Sequence, residues 1–349
     1  MTFKVHYLVE IWKTKIYFLC TIFLSRIINR NNPFQQKFKR ILVIKVDEIG
    51  DMITALPALQ ILRNNHPKAE IVLFCKPLVK NIVQSDSSIS KVVSDKNELS
   101  GKFDLIIDLR GTWSMFRYTL LHLPKCYLNR GTVRFKNKKS GQQKHEVEAN
   151  VQIMESVLQE IPKSLKLRLE IKNEDHCFAK EWIENQGLKN FVLLHAGARR
   201  PLKQWSPDRF TELSRYFNDK KFQLVFCGGP EDIDVNNEII GRLNFTAINM
   251  AGKTSLMQFA AIASHAKLFV GNDSGPMHLA SAVNIPALGL FGPSVTETFR
   301  PYHDKGAFIH HKLPCNPCDQ IHCVQPHDVC INRITLKEVE EKIEELLAR

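Results

Sequence analysis

Between Leu268 and Ser294 the chain reads LFVGNDSGPMHLASAVNIPALGLFGPS, and few folds accept that order of residues. An apolar strand, Leu268–Val270, runs into the small polar turn Gly271-Asn272-Asp273-Ser274-Gly275, after which Pro276 sits where a first helical turn tolerates proline. A second apolar strand, Ala287–Phe291, follows after a helix-length gap and ends in Gly292-Pro293-Ser294. This is a βαβ unit with ligand chemistry at its turn. The backbone N–H donors at that helix start suit an anion such as a pyrophosphate.

The rest of the chain repeats the pattern. RILVIKV at 40–46 is a strand broken by 47–51, after which Met52–Asn65 has helical spacing of Ile53, Leu56, Leu59 and Leu62, with Pro57 expected to kink it and Pro67 to end it. Strands follow at Glu70–Phe74 and Phe103–Asp108. A helix is expected over His145–Leu158, a strand-like piece at Leu165–Ile171 and a helix through Cys177–Gln186. A second β-α series runs through the strand Phe191–His195, the helix Phe210–Phe217 and the strand Gln223–Cys227 with its turn Gly228-Gly229-Pro230. Thr335–Leu347 closes as an amphipathic helix with Leu336, Val339, Ile343 and Leu346 on one face. At 349 residues two domains are expected. The division reads as a membrane-contact segment over 1–39, a Rossmann-like domain over 40–180, a second Rossmann-like domain over 181–334 and a closing helix over 335–349. That is an α/β architecture, GT-B when the ligand is a nucleotide sugar, with two facing domains and a deep cleft between them.

The net charge of +12 is uneven. Residues 1–45 carry nine Lys/Arg against Glu10, and residues 130–145 hold Arg130, Arg134, Lys136, Lys138, Lys139 and Lys144 with no acid. Two basic segments on a near-neutral body read as anion docking sites and count against a nucleic-acid-binding face. The apolar run 16–25, flanked by Lys13, Lys15, Arg26 and Arg30, is too short to span about 30 Å of hydrocarbon. No cleavage site of small residues follows it. It reads as an interfacial helix with Trp12, Tyr17, Phe18 and Phe23 in the acyl boundary, or else as an extra helix packed on the first domain. Nine cysteines without a signal peptide point to a reducing compartment. Cys315, Cys318, Cys323 and Cys330 form a C-x₂-C-x₄-C-x₆-C cluster that can hold a structural zinc, though the spacing is not that of paired knuckles, and reduced thiols or local disulfides are the other readings.

Three turns can carry chemistry. Asp51, in EIGD after the first strand, lies where a carboxylate can take a proton from an attacking sugar hydroxyl, or it is an N-cap. His195-Ala196-Gly197-Ala198-Arg199-Arg200, followed by Lys203, can bring backbone and cations to a diphosphate. Asp273, Ser274 and Gly275 can hold a sugar hydroxyl and a phosphate, with His278 in the following turn. Asp232-Ile233-Asp234 fits a D-x-D metal pattern, but acids at a helix start favour the macrodipole, and no metal is assigned there. G-x-G-x-x-G, the P-loop pattern and G-x-S-x-G are all missing, which counts against hydride transfer, ATP hydrolysis and serine hydrolysis.

The segments ILVIKVDEIGDMITALPAL, HAGARRPLKQWSPDRF, FCGGPED, MAGKTSLMQFAAIASHAKLFVGNDSGPMHLASA and ALGLFGPS, in that order over roughly 40–348, resemble glycosyltransferase family 9, the lipopolysaccharide heptosyltransferases. The cysteine loop also resembles one found in the family. At Gly197 and Ala198 the chain departs from it, because several members carry hydroxyl side chains there. The resemblance implies an inverting transfer of heptose from ADP-heptose to the lipopolysaccharide inner core, at the cytoplasmic face of the inner membrane and without a required cofactor. By the same resemblance Asp51 is the general base, Lys203 binds the diphosphate and Asp273 contacts the sugar. Ser274, Gly275 and His278 complete the pocket, Glu231 and Met250 lie near the nucleoside, and His195, Gly197 and Arg199 belong to the donor side. Arg130, Arg134, Lys136, Lys138 and Lys139 would form a loop facing the lipid A and core acceptor. Another nucleotide sugar or surface glycan is the alternative within the family. A basic, zinc-stabilised nucleic-acid-binding protein is the alternative of another class.

Overall fold

The structure, a computed structural model, describes residues 2–30, 37–318 and 320–349, without the side chains of residues 2–11 and of Lys138. By internal contacts the chain divides into two compact units, Met1–Leu165 and Lys166–Arg349. The helix Asn173–Asn185 is counted with the second unit, where it packs on the helix Leu256–Ala263.

The first unit is built on five parallel strands: β1 (Arg40–Lys45), β2 (Glu70–Cys75), β3 (Lys91–Val93), β4 (Leu105–Arg110) and β5 (Cys126–Asn129), in spatial order β3-β2-β1-β4-β5. The second has six: β6 (Phe191–His195), β7 (Gln223–Phe226), β8 (Ala247–Asn249), β9 (Leu268–Asn272), β10 (Ala287–Phe291) and β11 (Gly306–His310), in spatial order β11-β10-β9-β6-β7-β8. Strands that read as continuous apolar runs are buried on both faces, as parallel pairing with crossover helices requires. In each sheet the order reverses once, between β1 and β4 and between β6 and β9. Ligands of doubly wound sheets bind beyond the carboxyl ends of the strands at such a reversal. Each unit is thus Rossmann-like, the pair of domains that makes up the GT-B class.

One face of the second sheet shows how the core is filled. Val192 and Leu194, Leu224 and Phe226, Leu268 and Val270, and Leu288 and Leu290 alternate along their strands and so point to one side. Phe210, Leu213 and Phe217 of the helix Pro207–Asp219 and Val339, Ile343 and Leu346 of the helix Leu336–Leu347 close over them. The closing helix is therefore part of this core.

Three expectations change. Pro57 does not kink a continuous helix: the chain forms Ile49–Ile53 and then Leu56–Asn65, with Pro57 in the first turn of the second, where its missing N–H costs nothing. Leu165–Ile171 joins neither sheet, although its apolar residues alternate as a strand's would and turn inward, with Leu167 buried and Leu165, Leu169 and Ile171 partly so. The basic segment at 130–140 is a helix, Arg130–Ser140, and not a loop.

The N-terminal helix, Thr2–Ile28, has two faces. Tyr17, Thr21, Leu24 and Ser25 are buried against the first sheet. Tyr17 Oη donates to Asp108 Oδ2 at 2.5 Å and Ser25 Oγ to the Tyr127 carbonyl at 2.9 Å. Asn29, just beyond the helix, accepts from the Tyr127 N–H at 2.9 Å and donates to its carbonyl at 2.8 Å, as a neighbouring strand would. Tyr17, expected at a lipid boundary, instead satisfies a buried carboxylate with its hydroxyl. Trp12, Ile16, Leu19, Phe23 and Ile27 form the opposite, exposed stripe, with Leu19 64% and Phe23 68% exposed. Among the described residues no helix is long and apolar enough to cross a membrane.

Candidate functional site

In the first unit, the turn after β1 gathers charge that the strand would otherwise exclude. Lys45, fully buried, reaches Asp47 Oδ2 at 3.0 Å and Glu146 Oε1 at 3.4 Å. Arg110, at the end of β4, meets Asp47 Oδ1 at 3.2 Å. Arg130 grips both oxygens of Glu146, with Nη2 to Oε2 at 2.7 Å. Three cations thus answer the carboxylates of Asp47 and Glu146 and leave charge to meet a third, Asp51. Buried charges are tolerated when paired in this way.

Asp51 stands in the first turn of Ile49–Ile53, half-buried, at the carboxyl end of the sheet. It is not the N-cap: Glu48 holds that position. Burial pushes its pKa above the ordinary aspartate value, and Asp47 and Glu146 add to this against the opposing pull of Lys45 and Arg110. A carboxylate so raised is a better proton acceptor near neutral pH than a solvated one. Glu146, by contrast, is held below its ordinary range by Lys45 and Arg130 despite its burial.

Of the residues assigned to the acceptor, Arg130 is buried and engaged by Glu146, so its guanidinium is committed to the fold. Arg134, Lys136 and Lys139 are exposed on the helix Arg130–Ser140, with the Arg134 guanidinium 5.3 Å over the Phe18 ring. The side chain of Lys138 lies outside the described residues. Lys45, Asp47, Arg110 and Glu146 belong to this site and escape a reading of the sequence. The lysine inside an apolar strand is the available signal, because such a lysine must find carboxylates.

In the second unit the turns after β6, β7 and β9 converge. Lys203, in the turn Pro201–Lys203, pairs with buried Asp273 at 2.7 Å. Asn272 ties the turns together: its side-chain amide donates to the carbonyls of Ala196 at 2.8 Å and Gly197 at 3.1 Å, and its Oδ1 accepts from the Trp205 N–H at 3.0 Å. Ser274 Oγ lies 3.0 Å from His195 Nδ1, and His195 Nε2 lies 3.3 Å from Asp232 Oδ2. Ser274 occupies the N-cap position of the helix Gly275–Ala282 but makes no side-chain cap bond. Its side chain therefore does not compete with an anion for the amides opening that helix. His278 is buried one turn into the helix, Met250 is buried after β8, and Glu231 and Arg199 are exposed.

Gly197 has a specific reason to lack a side chain. A Cβ there would fall inside the Asp232 carboxylate, and one at Gly228, whose φ is +145°, would strike the same group. Asp232 thus serves as the inward partner of His195 and of the Gly229 N–H, 2.9 Å away. Asp234 points to solvent instead, so the D-x-D pair does not share a ligand.

The four clustered cysteines line one pocket together with His322 and Asp328, and all are free thiols, not disulfides. Backbone N–H groups of Gln320 and Gln325 donate to Cys318 Sγ and Cys323 Sγ at 3.4 Å each. Among the described residues no group of three or more His, Cys, Asp or Glu side chains stands close enough to share a metal ion.

Comparison with known proteins agrees with this architecture. A family model described as glycosyltransferase family 9 (heptosyltransferase) matches residues 94–328. The chain is 26% identical over 315 residues to lipooligosaccharide heptosyltransferase 2 of Campylobacter jejuni, covering 86% of this chain and 95% of that one. Among solved structures it resembles a family 9 glycosyl transferase from Veillonella parvula (TM-score 0.75, 21% identity, 91% of this chain and 99% of that one). It also resembles the Escherichia coli ADP-heptose lps heptosyltransferase II (TM-score 0.69, 22% identity, 88% and 98%).

The crowding around Asp232 yields a test. Gly197→Ala should lower stability by about 1–3 kcal/mol through overpacking, read as a fall in the urea midpoint. An unchanged midpoint would show that the carboxylate does not occupy this space.

Proposed function

The chain belongs to glycosyltransferase family 9, and from that premise we propose that it moves a heptose from ADP-heptose to the inner core of a lipopolysaccharide-type acceptor, with inversion at the anomeric carbon. The observation that carries the catalytic part is Asp51, a carboxylate with a raised pKa at the carboxyl end of β1. In this reading Asp51 takes the proton of the acceptor hydroxyl as its oxygen attacks the anomeric carbon. The bond to the diphosphate breaks on the opposite side. Lys203 and the amides of Ser274 and Gly275 take up the negative charge of the leaving ADP, the largest electrostatic demand of the reaction. Asp273 accepts from sugar hydroxyls, with His195, Gly197, Arg199 and His278 lining the donor side and Glu231 and Met250 near the nucleoside.

The choice of heptose and of a lipooligosaccharide-type acceptor is supported by the Campylobacter relative, a lipooligosaccharide heptosyltransferase, and that of ADP by the Escherichia coli protein, an ADP-heptose lps heptosyltransferase. Arg134, Lys136, Lys138 and Lys139 are the cations proposed to meet the anionic core and lipid A phosphates. The exposed stripe Trp12, Ile16, Leu19, Phe23 and Ile27, with Lys13, Lys15 and Arg26 along the same helix and Arg30 just beyond it, supports peripheral attachment to the cytoplasmic face of an anionic inner membrane. For Cys315, Cys318, Cys323 and Cys330 a structural zinc is proposed. Four sulfur donors around one pocket and two N–H···S bonds suit thiolate ligands, and the four side chains, which stand too far apart here to share an ion, would have to close around it. No step of the transfer is assigned to the metal.

Asp51→Asn should reduce kcat by about a hundredfold or more and abolish the acid limb of the pH–rate profile. That limb lies above the ordinary aspartate value in the native enzyme, because only ionised Asp51 can take the proton. A folded pKa above the unfolded one stabilises the protonated form, so the stability Asp51 contributes is full below the ordinary value and is lost as pH rises through the raised one. The Asn variant should accordingly keep or raise Tm at neutral pH, and a retained transfer rate would sink the assignment. In the same assay, neutralising Arg134, Lys136 and Lys139 should raise the acceptor KM and spare kcat. Phe23→Glu should abolish co-sedimentation with anionic vesicles without loss of Tm, and undiminished binding would remove the membrane role. Elemental analysis of the purified protein should find about one metal per chain; a metal-free, stable protein would exclude the zinc.

A further inference from the structure

The N-cap serine that caps nothing has its hydroxyl engaged elsewhere. Ser274 Oγ has two inward neighbours, His195 Nδ1 and the Asn272 carbonyl, each at 3.0 Å. On the far side of the ring His195 Nε2 meets Asp232 Oδ2, which also accepts from the Gly229 N–H. A carboxylate oxygen accepts only, so Nε2 carries a hydrogen. If the ring is neutral, Nδ1 has a lone pair and takes the Ser274 hydrogen. If the ring is doubly protonated, Nδ1–H donates to Oγ and the Ser274 hydrogen turns to the Asn272 carbonyl. In both states the hydroxyl hydrogen is used inside the protein, and a lone pair is what the half-buried oxygen has left for a ligand.

We infer that Ser274 Oγ is a hydrogen-bond acceptor for a hydroxyl of the transferred sugar, and that His195 and Asp232 are positioning residues that hold it in that role. This rests on the donor-site reading above. A lone pair repels a phosphate oxygen, which has no hydrogen to give, whereas a sugar hydroxyl can donate to it. The phosphates are then left to the amides opening Gly275–Ala282 and to Lys203. Asp273 is the adjoining residue and also an acceptor, so this end of the site presents two acceptors side by side and selects for a polyol. The glycines at 197 and 228 admit the Asp232 carboxylate to the back of the ring. Without it the ring could present Nδ1–H or a lone pair with equal ease, and the serine could turn its hydrogen outward.

Titration calorimetry of the full chain with ADP and with ADP-heptose tests this. Ser274→Ala should weaken ADP-heptose about fivefold or more and leave ADP within about twofold of the native affinity. His195→Gln should show the same split, and the double variant should be no weaker than the worse single one. If His195→Gln does not fold, Asp232→Asn takes its place in the cycle. An equal loss for ADP and ADP-heptose in Ser274→Ala would overturn the inference, since the hydroxyl would then donate to phosphate; fully additive losses would also overturn it. A native protein that binds neither nucleotide would instead remove the donor-site reading, and this inference with it.

Discussion

A sheet whose strands all run the same way must send every strand-to-helix turn to one edge, and a chain that winds outward in both directions from its first strand opens a gap at that edge. Both units obey this constraint. In the first it gathers the turns after β1 and β4, and in the second those after β6 and β9, with the turn after β7 beside them. Side chains at these places are far apart in sequence and close in space for one topological reason. Arg110 meets Asp47 across more than sixty positions, and Ser274 meets His195 across about eighty.

The two gatherings solve different physical problems. In the first unit charge itself is buried, and Lys45, Arg110 and Arg130 exist in effect to make Asp47, Glu146 and Asp51 tolerable together. Removing one partner from such a set commonly costs about 3–5 kcal/mol, so the set resists piecemeal change. It also leaves Asp51 as the carboxylate with the least compensation, which is why its proton is held more tightly than that of Glu146. In the second unit the problem is orientation. Asn272 laces the turns together through three hydrogen bonds, and two positions without side chains make room for Asp232. Geometry there comes from steric allowance as much as from attraction.

Much of this is legible in the residues. Apolar runs ending in small polar turns announce the strands β1, β2, β4, β6, β7, β9 and β10, and the turns that close them supply the candidate residues. Short strands such as Lys91–Val93, Cys126–Asn129 and Ala247–Asn249 are not legible, because they lack the apolar run and glycine turn that mark the equally short Gln223–Phe226, and their pairing is set by neighbours already in place. The partners of Lys45 cannot be named either, since Glu146 lies about a hundred residues away and reaches it only through the fold. Arg130 shows the converse limit: in a run of basic residues nothing local distinguishes the one that turns inward. The N-terminal helix reads as lipid-facing or as packed on the domain. It packs through Tyr17 and Leu24 and leaves a second face exposed, a division that requires a period finer than composition supplies.

The grip of Asn29 on Tyr127 affects more than the helix it anchors. An outermost strand normally offers a row of unmet donors and acceptors to any passing chain, and such edges are where sheets grow into aggregates. Here one side-chain amide takes both polar groups of Tyr127 and a helix lies along the strand, while the opposite edge, β3, is only three residues long. The first sheet is therefore closed to recruitment of further strands at both margins. Copies of the chain that meet in solution or in a crowded mixture therefore find no long open edge on this sheet to pair with.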